Sequence, residues 1–221
     1  MKRVVTFLIF LSFIILVNAE NGFLPGYIIT KSDRKEECKI QVNVSFDGAI
    51  DFYALRWSIK VEKEGYSAIK LKAKEIKGFV FNYEGKEYKF FSFENKIDLN
   101  KGIFSTPSHV FLKLEKEGYI NLYRFCEKTQ VVVPVPMTNY PVNVNINLKS
   151  SIWFISKDRN NVNRLTNTFC LRDMIADNQE LYNSIDMKST DIEDLIAVVC
   201  LYNTWKNDHQ EPEVKLQDED E

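Results

Sequence analysis

The sequence predicts an α+β protein in which an N-terminal antiparallel β sandwich or barrel-like sheet is followed by a small C-terminal helical region. Residues 26–155 contain short segments in which apolar and polar side chains alternate, and this period of two is typical of half-buried strands. After residue 160 the apolar residues recur at steps of three and four, which indicates amphipathic helices. Closely spaced strands joined by hairpin turns favour an antiparallel sandwich or barrel.

Two segments show the strand alternation most clearly. Residues 39–46 (KIQVNVSF) and 141–149 (PVNVNINLK) each place every second, apolar side chain on one face of the strand. Residues 79–93 and 111–125 predict two hairpins, each of which turns at a Glu-Gly pair. We therefore expect a β-rich domain that spans residues 20–160.

The helical region, residues 161–206, is expected to pack on this domain. Thr190 and Glu193 have the spacing of a capping box, in which Thr190 accepts a hydrogen bond from the backbone N–H of Glu193. The apolar stripe that follows predicts the buried face of a helix and consists of Ile192, Leu195, Ile196, Val199 and Tyr202.

The first 19 residues have the pattern of a secretory signal peptide. Lys2 and Arg3 precede an apolar run at residues 4–17, and the short residues up to Ala19 suit cleavage after that position. The alternative, a membrane anchor, needs roughly 20 apolar residues, and this run is shorter. We therefore expect an exported protein in a periplasmic, cell-surface or extracellular location.

The mature chain predicted in this way is mildly acidic. The full sequence has a net charge of −2, and removal of Lys2 and Arg3 leaves −4. Such a protein has no electrostatic basis for binding a phosphate backbone, so nucleic acid is not expected as a partner. No later apolar run reaches spanning length, and residues 207–221 are predicted to be a disordered acidic tail.

All four cysteines follow the predicted cleavage site, and an even number in an exported protein suggests disulfides. Cys170 and Cys200 lie in helical segments that can fold back on each other, which favours one bridge. Cys38 and Cys126 flank predicted strands and are the candidates for the second bridge, although three connectivities are open. Structural bridges are favoured over a reactive thiolate because only Lys39, beside Cys38, offers an adjacent cation.

Four segments follow one another in a familiar order: GYIIT at 26–30, a hairpin containing IKGF at 75–93, a second hairpin at 111–125, and helices at 176–203 that close on Tyr-Asn. In this order they resemble a group of uncharacterised exported proteins of Bacteroidota-type bacteria. The resemblance implies export and this architecture, and it supplies no site residues. The chain departs from the pattern after Asp33, where a charged run replaces the expected Thr and Gly.

The sequence predicts no catalytic residue, no cofactor and no metal ligand. It lacks the motifs of serine hydrolases, zinc peptidases, phosphate-binding loops and dinucleotide-binding folds. His109 follows Ser108, which offers a hydroxyl, but no neighbouring acid orients the ring, so a turn or surface histidine is the favoured interpretation. His209 lies in the polar tail and is a weaker candidate.

Aromatic residues suggest a candidate binding surface. Phe79, Phe81 and Tyr83 share one strand face, and Tyr88 follows on the next strand. If these side chains were exposed, they would form a surface suited to sugars or to another protein. The alternative, that they fill a core, is favoured by the preference of aromatic residues for strands.

These observations favour a non-catalytic binding or structural module of the cell envelope or extracellular space, with an envelope protein or a glycan as partner. An exposed aromatic or apolar patch without a polar cleft would mark such a module. The alternative is a hydrolase acting on cell-surface polymers, which requires a concave site with two carboxylates or with His109 beside a hydroxyl.

Overall fold

The computed structural model describes residues 22–45, 48–95, 107–137, 140–157, 159, 161–185 and 190–209; for residues 128–149 it describes at most the backbone. The predicted signal peptide and residues 210–221 of the predicted tail lie outside the described residues. The first two residues of that tail, Asn207 and Asp208, are helical, so the predicted start of the tail at residue 207 is corrected.

Ten strands among the described residues form a sheet that does not close. They are β1 (Gly22–Ile29), β2 (Lys35–Val42), β3 (Ser58–Glu62), β4 (Ile69–Lys72), β5 (Gly78–Tyr83), β6 (Lys86–Glu94), β7 (His109–Lys116), β8 (Asn121–Met137), β9 (Tyr140–Ser156) and β10 (Asn163–Arg164). Their order in the sheet is β10-β9-β8-β7-β6-β5-β1-β2-β3-β4.

The predicted α+β class, with an antiparallel sheet followed by helices, is confirmed at this level. The strand pairs with a recorded register are antiparallel, and β1 lies in the interior of the sheet between β5 and β2. The sheet is open, so the closed-barrel form of the prediction is not what the structure shows. The sandwich stays a prediction.

The hairpin of β5 and β6 confirms its sequence prediction. Tyr83 pairs with Lys86, which leaves Glu84 and Gly85 as a two-residue turn. Both turn residues have positive φ, 49° and 74°, as required by the tight turns whose twist matches that of the flanking strands.

One compact unit comprises the described parts of residues 1–114 and 124–152. Its core is aromatic: the Phe79 ring stacks on Phe90 at 4.6 Å between centroids and meets Phe111 edge-on at 4.9 Å. Gly26 lies on β1 opposite Phe81 of β5, and a Cβ at Gly26 would overlap the carbonyl oxygen of Val80. The glycine of the GYIIT segment therefore permits the close pairing of these two strands.

The other compact unit comprises residues 115–123 and the described residues from 153 onward. It contains three helices, α1 (Phe169–Arg172), α2 (Gln179–Ser184) and α3 (Ile192–Asp208). None of the described helices is both long and apolar enough to cross a membrane. Their apolar faces enclose a second core that consists of Ile120, Leu122, Ile155, Leu165, Leu171, Ile175, Leu195, Val198, Val199 and Tyr202.

The predicted capping box of α3 is wrong in its cap residue. The helix begins one residue later than the box requires, so that Asp191 is the N-cap and its carboxylate accepts a hydrogen bond from the backbone N–H of Glu193 at 2.9 Å. Asp191 has an extended backbone, φ −68° and ψ 123°, which is the conformation of an N-cap residue.

Candidate anion-binding groove

The aromatic residues that formed the candidate binding surface belong to the core. Phe79 and Phe81 are 0% exposed, so neither can stack against a ligand. Tyr83 and Tyr88 are half-buried and pack against the same cluster, where the Phe81 ring stacks on Tyr88. The favoured interpretation of Phe79 and Phe81 as core residues is confirmed, and the alternative of an exposed surface at these two positions is corrected, because both side chains pack in the core cluster.

Cys38, Cys170 and Cys200 are free thiols in the structure. Cys38 lies on β2 and Cys126 on β8, with four strands between them in the sheet order. The two cysteines therefore do not lie on neighbouring strands, and the Cys38–Cys126 bridge stays a prediction. The Cys170 thiol is hydrogen-bonded to the hydroxyl of Thr166 at 3.4 Å, and the Cys170–Cys200 bridge stays a prediction.

Cys38 is a buried thiol with no chemical activation. Burial raises the pKa of the Cys38 thiol, because a thiolate is poorly solvated there. It lines an open cavity of about 960 Å³ together with charged side chains of both signs, including Glu37, Lys39 and Glu62. Within the described residues no three His, Cys, Asp or Glu side chains converge on a position that could hold a metal ion.

His109 begins β7 and lines a smaller cavity of about 330 Å³. Its Nδ1 is hydrogen-bonded to the Ser108 hydroxyl at 3.2 Å, and Trp57 forms another part of the lining. Backbone bonds position this wall: the N–H of Phe111 on β7 donates to the Arg56 carbonyl, and the N–H of Ala73 donates to the Trp57 carbonyl.

Lysines dominate the rest of this cavity. Lys70 and Lys72 come from β4, and Lys74 comes from the 3-10 turn that follows it. On β3, Lys60 pairs directly with Lys70 and Ser58 pairs with Lys72. Because side chains alternate across a strand, these four residues share one face, while their neighbours Ile59 and Val61 are buried in the core.

A second cavity of about 330 Å³ continues from the first. The two cavities share Ser58 and Lys70, and the second adds Lys60 together with the side-chain amides of Gln41 and Asn43. We call the continuous surface the lysine groove. It consists of Ser58, Lys60, Lys70, Lys72 and Lys74, with Trp57 and His109 at one end and Gln41 and Asn43 at the other.

The lysines of the groove have no acidic partners among the described residues. Elsewhere lysines of this chain do pair, as Lys63 does with Glu36 at 2.6 Å and Lys206 with Asp177 at 2.6 Å. Glu75, next to Lys74, directs its carboxylate to the backbone N–H of Lys72 at 2.7 Å. Glu62, two residues from Lys60 on β3, lies opposite Lys39 of β2. Like charges directly opposite on paired strands repel, so the Lys60–Lys70 pair is destabilising without a bound anion.

Sequence reasoning missed this groove. The segment Ile69–Glu75 reads IKLKAKE, and its period of two in lysine puts successive charges on one face of a strand. By itself this pattern is equally typical of a solvated strand face, so the segment does not predict a binding site. Instead of the expected apolar patch, the structure shows a polar, cationic groove, because the pairing of β3 with β4 sets Lys60 beside that row.

No protein-family model matches the chain, and searches of curated proteins and of solved structures found no significant match.

Proposed function

We propose that this chain is an exported, non-catalytic binding module that holds an anionic ligand in the lysine groove. The observation that carries the proposal is the cross-strand pair of Lys60 and Lys70, extended by Lys72 and Lys74, with no acidic partner among the described residues. This concentration of positive charge stands in a chain whose net charge is −2. A bound anion would relieve the repulsion between the lysines and provide the missing counter-charges.

Export is proposed from the signal-peptide pattern of residues 1–19. The order of segments that resembles exported proteins of Bacteroidota-type bacteria supports the same compartment. In that setting acidic envelope glycans and acidic surfaces of envelope proteins are the partners that we propose.

The test is retention of the purified protein on a heparin column, which presents dense sulfate and carboxylate groups. We expect the wild-type protein to be retained and to elute as salt rises, because salt screens exposed charges. The variant K60Q/K70Q/K72Q/K74Q should pass through unretained.

A matched control removes the same number of charges elsewhere. Lys31, Lys86, Lys116 and Lys157 are exposed and lie outside the groove, so K31Q/K86Q/K116Q/K157Q has the same net charge as the groove variant. It should be retained almost as well as the wild type. Equal loss in both variants would show a general charge effect and contradict the proposal.

One observation favours a hydrolase as the second candidate function. The Ser108 hydroxyl lies 3.2 Å from the His109 ring, and both residues line the cationic cavity. Among the described residues no carboxylate is hydrogen-bonded to this ring, so the third member of a catalytic triad is not in place. A serine hydroxyl beside a histidine suits ester hydrolysis. If the protein releases acetate from O-acetylated acidic cell-surface polymers, and S108A and H109A both abolish the release, the hydrolase replaces the binding module.

A further inference from the structure

We propose that the ligand of the lysine groove is a strand of an acidic polysaccharide, bound along β3 and β4 across both cavities rather than at a single point. This inference rests on the proposed function, and it adds the class and the length of the ligand.

The charges of the groove are spread along a line. Lys70 and Lys72 are two residues apart on β4, which separates them by roughly 6.6 Å, and Lys74 lies beyond them in the following turn. Lys60 and Lys74 belong to different cavities, one at each end of the groove. A compact anion would use only part of this row, whereas a chain with repeated acidic groups matches its length.

The remaining lining suits sugar residues. Gln41, Asn43 and Ser58 offer amide and hydroxyl groups that can donate to and accept from the neutral hydroxyls of a sugar. Trp57 supplies an apolar surface at the other end, and its ring is held edge-on against Phe125 with 5.6 Å between centroids. Charged, hydroxyl-bonding and apolar contacts along one groove correspond to the mixed surface of an acidic polysaccharide.

Two other polyanions fit less well. A single-stranded nucleic acid is held by several exposed aromatic side chains on which successive bases stack. Among its described lining residues the groove offers only Trp57 and the smaller ring of His109. An acidic peptide matches the charge of the lysines but offers few neutral hydroxyls to Gln41, Asn43 and Ser58.

Protection of the sheet edge does not account for all of the lysines. Lys70 and Lys72 lie on the edge strand β4, where such a role is common. Lys60, however, lies on β3, which is paired on both sides, and Lys74 follows the end of β4. These two residues therefore distinguish a binding groove from a protected edge.

The experiment titrates the full chain with galacturonic acid, its dimer and its hexamer and measures the affinity by isothermal titration calorimetry. We expect the affinity to rise by about tenfold or more from monomer to hexamer, because linked charges bind as a unit. K60Q and K74Q should each weaken hexamer binding by roughly two- to fivefold, the range for one exposed ion pair. The control K31Q should bind as the wild type does.

Each other outcome overturns a defined part of the inference. Equal affinity for monomer and hexamer would show a compact-anion site, and would leave the proposed function intact. Equal or tighter binding of a glutamate hexamer or of single-stranded DNA, with the same dependence on Lys60 and Lys74, would replace the polysaccharide by that polymer. No binding of any of these anions, together with no retention on heparin, would overturn the proposed function itself.

Discussion

Asn203 takes the place of a strand partner for Ile120. Its side-chain amide donates to the Ile120 carbonyl and accepts from the Ile120 N–H, both at 2.9 Å and both buried. Gly118 makes room for this arrangement, because a Cβ there would lie 2.5 Å from Asn203 Nδ2. Asn203, from the C-terminal Tyr-Asn pair, therefore contacts Gly118 of the second hairpin, although the two segments are far apart in the sequence.

We predict that Asn203→Ala lowers the free energy of unfolding by about 2–5 kcal/mol, because it leaves a buried N–H and a buried carbonyl of Ile120 without partners. Urea denaturation followed by tryptophan fluorescence measures the change. Thr204→Ala, the neighbouring exposed position on α3, is the control and should change stability by less than about 0.5 kcal/mol.

A double-mutant cycle tests the contact with Gly118. Gly118→Ala should destabilise the wild type, since the new methyl group displaces Asn203. In the Asn203→Ala background the same substitution should cost much less, because the atoms it meets are gone. Additive effects of the two substitutions would contradict the steric explanation.

Asp177 is a second residue whose side chain connects two parts of the chain. Its carboxylate accepts a hydrogen bond from the Tyr202 hydroxyl at 2.8 Å and pairs with Lys206 at 2.6 Å. Burial alone would raise the pKa of the Asp177 carboxyl, but the hydrogen bonds from Lys206 and Tyr202 outweigh it and hold this pKa below its ordinary value. Burial and the Asp177 charge raise the pKa of Tyr202 well above its ordinary value, so the phenol stays protonated.

We predict that this carboxylate makes stability depend on pH in acid. A group whose pKa is lowered on folding stabilises the protein above its unfolded pKa, about 4 for Asp, and loses this contribution as pH falls through the folded value. The contribution is no more than about 1 kcal/mol, because the Asp177 side chain is 45% exposed. Unfolding free energies measured from neutral pH down to strongly acid pH should show this component in the wild type and lack it in Asp177→Asn.

At the scale of elements, α3 illustrates how closely a helix can be predicted. Its apolar stripe is local information, and Leu195, Val199 and Tyr202 are buried as predicted. The cap differs by one residue, because Thr190 and Asp191 are both good cap residues and only the direction of the incoming chain decides between them.

We predict that Asp191→Ala destabilises the protein by about 1 kcal/mol, the usual cost of losing a side-chain N-cap. Thr190→Ala should have a smaller effect, because the observed cap bond to Glu193 comes from Asp191. Thermal unfolding of the two variants under identical conditions compares them directly. A larger loss in Thr190→Ala would restore the capping box expected from the sequence.

At the scale of the whole molecule, the described residues form two compact units, each with its own buried cluster. Residues 115–123, which come from the middle of the chain, belong to the same unit as the C-terminal helices. The sequence predicts a change from strands to helices near residue 160, because the spacing of the apolar residues changes there from two to three or four. The sequence contains no signal that residues 115–123 belong with the C-terminal helices. That grouping depends on the contact between Ile120 and Asn203, which are 83 residues apart in sequence.

We predict that the protein purified from its own cells without reductant lacks residues 1–19. Denaturing mass spectrometry measures this, and the same spectrum counts the disulfides, because each bridge removes two hydrogens from the mass. An intact N-terminus would contradict the proposal of export. A mass that corresponds to four free thiols would overturn the predicted bridges.

By itself the sequence determined the features that depend on near neighbours. The strand alternation, the tight turn at Glu84 and Gly85, and the amphipathic face of α3 all follow from side chains within a few residues of one another. Only the tertiary structure decided which strands pair beyond the predicted hairpins, and with that the position of Lys60 beside Lys70. Pairing depends on long-range packing and hydrogen bonding between segments, for which the chain has no local signal.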